Sequence, residues 1–264
     1  MTTVFFLIAY GVMWTCFATV AAAHIPAASP LGFVLLYLGT FAPALSAISV
    51  TAIAGGRAGV RALFAGAFRT PAAAWWFVFA VAYMPAIKLT AALIHRVALG
   101  MWPRFGTEPL ILIPLAIAIS TPVQIGEELG WRGFALPRMS AAMGPRSASL
   151  VLGLLWAFWH LPQFFIPEAD TYSQSFVIFV LQVIAMSVAM AWLYQKASGN
   201  LWPLMVMHDA VNNTKDIVPS ATPGGTATFG FGGSPVAWIT VALLWTCAIV
   251  LLVRMPRERR SSNF

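Results

Sequence analysis

Long stretches without a single charge recur along this chain, each about as long as a membrane crossing. Taking about 20 apolar residues as one span, the sequence predicts helices near 4–23, 31–54, 73–94, 109–136, 147–166, 175–195, 200–218 and 235–253. A backbone in lipid finds no water to bond, so such stretches must close their own hydrogen bonds as helices. Composition agrees with this. Hydrophobic residues make up 60% of the 264 and charged residues 9%, against about 25% charged in ordinary soluble domains, and the mean hydropathy is +0.82. The expected fold is all-α: a polytopic integral membrane protein forming one transmembrane domain over 1–264, a bundle of about eight helices in contact with the lipid bilayer. The first run has no Lys or Arg before it and the length of a retained span, not of a cleaved signal peptide.

The formal net charge of +7 would suit nucleic acid, but the basic residues lie between the apolar runs and at the C-terminus, where topology explains them and no nucleic acid is implied. With a cytosolic N-terminus, the cytosolic segments hold Arg57, Arg61, Arg69, Arg132, Arg138, Arg146, Lys196, Arg254, Arg257, Arg259 and Arg260. The other side holds Lys88, Arg96, Arg104 and Lys215, together with the acidic connection 168–170. This asymmetry predicts that both termini are cytosolic, in the plasma (inner) membrane. Cys16 and Cys247 lie inside apolar runs and read as packing residues. Trp75, Trp76, Trp102, Trp202 and Trp238 fall near helix ends, as indoles at the headgroups do. Lys88, His95 and His24 are expected to snorkel towards the interface, and the Gly- and Thr-rich connection 220–234 reads as an outer loop.

Three polar islands interrupt this apolar pattern. The first is Ile125-Gly-Glu-Glu-Leu-Gly-Trp-Arg-Gly133. A carboxylate at membrane depth costs roughly 2.5 kcal/mol and upward unless it is paired, protonated or wetted. Helical spacing puts Glu128 and Arg132 on one face at i,i+4, while Glu127 is turned about 100° away without a local partner. The second island places Trp156 and His160 at i,i+4, and the third places His208 and Asn212 at the same spacing. One such group is more often interhelical glue. Three islands at similar depth supply a base, an orienting group and donors for an oxyanion. In that reading Glu127 takes a proton from water, His160 holds the water or a metal, and His208 and Asn212 face the developing oxyanion. Glu127, His160 and His208 also have the composition of a catalytic zinc site with an open position. A polar intramembrane cavity opening towards the cytosolic leaflet is expected. A proton- or ion-coupled transporter, or a non-catalytic immunity or scaffold protein, would also account for buried ionisable groups.

Glu127-Glu128-x-x-x-Arg132, the aromatic-x-x-x-His160 pattern and His208-x-x-x-Asn212, in that order, resemble the CPBP family, also called Abi. Its members are the CAAX prenyl endopeptidases and the bacteriocin-processing or self-immunity proteins. The motif-bearing core covers about 109–218, and the neighbouring Trp131-Arg132-Gly133, His160-Leu161-Pro162 and Gly199-Asn200-Leu201-Trp202-Pro203 phrases are similar too. The resemblance implies an intramembrane endopeptidase, a metalloprotease if zinc is bound, acting on peptide or protein substrates at the membrane, CAAX-type or leader-peptide. Glu127 matches its catalytic glutamate, Glu128 and Arg132 the supporting pair, His160 the second-motif histidine, and His208 with Asn212 the oxyanion pair. One departure is visible: the second motif usually opens with Phe, and Trp156 stands here, a larger ring that would narrow a pocket.

Overall fold

A computed structural model describes residues 1–68, 72–107, 109–219 and 227–256. Arg69, Arg257, Arg259 and Arg260, counted above for topology, and part of the 220–234 connection lie outside them. Among the described residues every regular element is helical: α1 (Thr2–Ala22), α2 (Pro30–Thr40), α3 (Ala42–Ala67), α4 (Ala74–Leu99), α5 (Ile113–Ser120), α6 (Ile125–Glu128), α7 (Leu136–Met143), α8 (Pro145–Trp159), α9 (Phe176–Lys196), α10 (Trp202–Thr214) and α11 (Pro235–Arg254). The protein is an all-α polytopic membrane protein. Among the described residues six stretches are long and apolar enough to cross a bilayer, or seven if α2 and α3, bent by 54°, count as one broken span. The predicted helix at 200–218 is the one that falls short of the expected eight. It forms α10, only 13 residues long, or about 20 Å at 1.5 Å per residue. It packs against α4, α5 and α9 inside the bundle, where no lipid thickness has to be matched.

Helix starts follow their local chemistry. Ser29, Ser175 and Ser234 accept backbone N–H groups at the starts of α2, α9 and α11, offsetting donors that a first turn leaves unpaired. The stretch Leu110–Met143 is less regular. Proline lacks a backbone N–H and cannot complete the α pattern, and Pro114, Pro122 and Pro137 divide this stretch. The chain passes through α5, a tight 3-10 turn at Thr121–Gln124, α6, and a π-helical segment at Leu129–Ala135 before α7. The first polar island sits where α6 meets the π segment, a distortion that recurs at functional sites.

Buried indoles and small residues fix the neighbours of this stretch. Trp159 Nε1 donates to Ala9 O at 3.1 Å, Trp14 Nε1 to Trp159 O at 3.2 Å, and the Tyr10 hydroxyl to Leu155 O, tying α1 to α8. Ser187 Oγ donates to Ser149 O at 2.9 Å where α9 crosses α8. Three residues read as interfacial are inside. His95 is buried with its Nδ1 2.9 Å from Met101 O. Lys88 is 3% exposed and its Nζ donates to Val218 O at 2.9 Å, a tether possible only because that carbonyl folds back over α4. Trp76, also buried, meets Trp192 edge-on at 5.4 Å. Arg132, counted above among the cytosolic charges, is completely buried and has no part in the topology signal.

Two glycines let the first island lie flush against the start of α3. A Cβ on Gly130 would stand 2.5 Å from the Pro43 backbone, and one on Gly126 2.9 Å from the Phe41 ring. Gly130→Ala should therefore push α3 away and lower stability by about 1–3 kcal/mol, read as a drop in melting temperature in detergent. Gly11→Ala, where a Cβ would meet nothing within 4 Å, should leave the melting temperature unchanged.

Candidate active site

The three polar islands meet in the interior. Glu127 and Glu128 end α6, Arg132 lies in the π segment, His160 caps the C-terminus of α8, and His208 lies in the middle of α10. Glu128 is 0% exposed and its Oε1 is shared by two groups. Arg132 Nη1 donates to it at 2.9 Å and His208 Nδ1 lies at 2.8 Å. The i,i+4 pairing read from the sequence is present, and α10 closes on it from the other side. Arg132 also lies over the Trp156 ring, 4.0 Å from its centroid, a face that attracts cations.

Trp156 is the centre of this arrangement. Its Nε1 donates to Glu127 Oε2 at 2.7 Å, and its ring meets those of His160 and His208 edge-on at 5.7 and 5.3 Å. A phenylalanine here could not make the first of these contacts. The departure from the expected Phe therefore supplies a donor to the carboxylate, and not merely a wider ring. Glu127 keeps its other oxygen, Oε1, free of any hydrogen bond to the described residues. His160 Nδ1 bonds to Trp156 O at 2.7 Å. A carbonyl only accepts, so Nδ1 carries the proton and Nε2 is left with a lone pair. Glu128 Oε1 accepts from His208 Nδ1 in the same way, so each imidazole is oriented through its Nδ1.

Glu127, His160, His208 and Asn212 all line one cavity of about 470 Å³. Glu128 and Arg132 lie behind its wall, where they hold His208. Its flanks carry Phe17, Met84, Phe179, Met186 and Met190, and its mouth is formed by Glu168, Asp170, Thr171, Gln174 and Lys215. Lys215 Nζ pairs with Asp170 Oδ2 at 2.6 Å across this mouth. Arg138, Lys196 and Arg254 line a separate cavity of about 1110 Å³ together with Met1, so the basic residues and the chain start gather at the far end of the bundle. The polar cavity opens at the opposite end because His160 follows the last turn of α8 and continues into the 168–174 connection.

Asp209 carries a role that its neighbours in the sequence obscured. It is 1% exposed, and its carboxylate accepts from Ser120 Oγ at 2.9 Å, Gln124 Nε2 at 2.9 Å and Thr121 Oγ1 at 3.3 Å. These donors lie in and beside the 3-10 turn that leads to Glu127, so Asp209 locks that turn to the residue after His208. A carboxylate within a predicted span was the available signal.

As a ligand set Glu127, His160 and His208 have the right chemistry for zinc. Among the described residues, however, no three His, Cys, Asp or Glu side chains are gathered closely enough to hold an ion. The residues as they stand do not fit a metal, and what they offer is a carboxylate, two oriented imidazoles and an amide around space for a water.

Residues 108–214, which contain all three islands, match the family described as type II CAAX prenyl endopeptidase, Rce1-like. The curated protein CAAX prenyl protease 2 of Methanococcus maripaludis is 26% identical to this chain over 98 residues, covering 35% of this chain and 36% of that protein. The chain thus aligns with about a third of that relative's length.

Asp209→Ala should leave Gln124 Nε2 without its acceptor, while Ser120 and Thr121 keep Ala116 O and Ile117 O, at a cost of about 1–3 kcal/mol. Asp209→Asn, which keeps one acceptor, should lose less. Melting temperatures of the two variants in one detergent check the order.

Proposed function

Taking residues 108–214 as a segment of the CPBP family, we propose that the chain is an intramembrane endopeptidase that hydrolyses peptide bonds with a water activated by Glu127. The observation that carries this reading is the convergence of Glu127, His160, His208 and Asn212 on one cavity. Water sits between Glu127 Oε1 and His160 Nε2. Glu127 removes its proton as the oxygen attacks the peptide carbonyl carbon. The carbonyl oxygen, now negative, accepts from Asn212 and from His208, which donates from Nε2 in its doubly protonated form with Glu128 as counter-ion. Collapse of the tetrahedral intermediate breaks the C–N bond, and Glu127 returns its proton to the leaving amine. The imidazoles and the carboxylate are pre-oriented by Trp156 and Glu128, so little reorganisation is left for the moment of reaction.

The flanking Phe17, Met84, Phe179, Met186 and Met190 suit a substrate that is apolar beside the cut bond, and methionines adapt to varied shapes. A membrane-associated peptide has that character. A transporter would need this site to open to each face in turn, whereas the buried Glu128 and Arg132 that close it at the inner end are tied to each other, to His208 and to Trp156.

Glu127→Gln keeps size and hydrogen bonding but removes the base, so cleavage of a membrane-anchored test peptide should be abolished with the melting temperature nearly unchanged. Arg132→Ala should lose both, because a buried carboxylate stripped of its partner costs about 3–5 kcal/mol. Substantial cleavage by Glu127→Gln refutes the base. Trp156→Phe removes the donor to Glu127 and should lower kcat about 10- to 150-fold, the scale of the roughly 1.5–3 kcal/mol of a hydrogen bond to a charged group, while KM stays near its original value. An unchanged kcat would mean that the indole N–H does not position the carboxylate.

A further inference from the structure

The site has a side. Among the described residues, one end of the bundle gathers Arg57, Arg61, Arg138, Arg146, Lys196 and Arg254 with no carboxylate. Contacts hold these segments together there. Arg146 Nε donates to Met255 O at 2.9 Å, Leu201 N to Ala67 O at 2.8 Å, and Met1, Arg138, Lys196 and Arg254 share one cavity. The other end gathers Arg96, Arg104 and Lys215 with Glu168, Asp170 and Asp216, and is joined by the Lys215–Asp170 pair and by Gly106 N donating to Ile217 O at 3.1 Å. Lys and Arg concentrate on the cytosolic side of membrane proteins, so the first end faces the cytosol. The candidate catalytic cavity opens at the second.

We propose that substrate and water reach Glu127 from the extracytoplasmic side, and that the substrates are membrane-associated polypeptides whose cut segment is displayed on that side. The proposal rests on the peptidase reading for its substrates, while its sidedness rests on the fold and the charges alone. From the cytosolic end the route to Glu127 is closed. Glu128, Trp131, Arg132 and Phe134, each at most 1% exposed, fill the space beneath it. Hydrolysis consumes a water, and the mouth at Glu168, Asp170 and Gln174 is the polar passage that supplies one. A peptide presented in the cytosol, as a soluble C-terminus is, would meet the sealed end.

Single cysteines read this directly once Cys16 and Cys247 are replaced by alanine. In intact cells a membrane-impermeant maleimide should label Ala169→Cys at the mouth and spare Lys196→Cys, which should react only in inverted membrane vesicles. Gln174→Cys and Ser140→Cys form a second pair should either of the first fail to fold. Protection of the mouth cysteines in intact cells overturns the proposal, whether or not any peptide is cut. Attachment of a bulky impermeant maleimide at Ala169→Cys should also abolish cleavage of a membrane-anchored fluorogenic peptide. A site labelled from outside in a protein that cleaves no peptide would keep the sidedness and refute the peptidase reading, so the two fail separately.

Discussion

A carboxylate with no exposed surface, inside a bundle that lies in lipid, is the costliest group in this fold, and most of the site exists in the form needed to accommodate it. Glu128 would be expensive to bury alone. Arg132 reaches it from one turn along the same strand of helix, and His208 reaches it from α10. The arginine brings its own burial cost, which the face of Trp156 reduces from the side away from Glu128. Trp156 then has its N–H directed at Glu127. One buried charge thus sets an order of contacts that ends on the candidate base. The chain of contacts also explains why two adjacent glutamates differ so completely: one is walled in with a single oxygen, Oε1, held by two donors, the other keeps an oxygen towards the cavity.

Much of this is legible in the residues alone. Lipid forces apolar runs into helices, so the spans and the all-α class followed from hydropathy, and period alone put Glu128 with Arg132 and turned Glu127 away. The meeting of Glu127, His160, His208 and Asn212 followed from the cost of leaving them apart. What stayed illegible depends on which neighbour covers a residue, which hydropathy does not encode. Lys88 looks like a snorkelling lysine until Val218 O is known to lie over it, and Trp76 looks interfacial until Trp192 closes on it. The length of α10 was overestimated because a buried helix is as apolar as a spanning one. Asp209 was passed over because its three donors lie about 85 residues earlier in the chain. The side on which the cavity opens depends on where α8 ends relative to His160, a matter of a few residues that a window of 20 cannot resolve.

The glycines and prolines of the 110–143 stretch belong to the same account. Prolines remove donors and so permit the change from α to 3-10 to π geometry. Gly126 and Gly130 then let the altered backbone approach α3 more closely than a Cβ would allow. Neither kind of residue carries chemistry, yet together they decide where the carboxylates stand.

The π-helical segment has a consequence for how the protein can vary. A π turn holds one residue more than the α turn it replaces, so Leu129–Ala135 behaves as an insertion stored within a helix. Loss of a single residue there would restore α geometry and leave the helix on either side close to its present register, because a π turn absorbs its extra residue locally. The side chains within the turn would be re-aimed, and Arg132, which lies in it, would be displaced from Glu128. The Glu128–Arg132 pair therefore holds this stretch to its length.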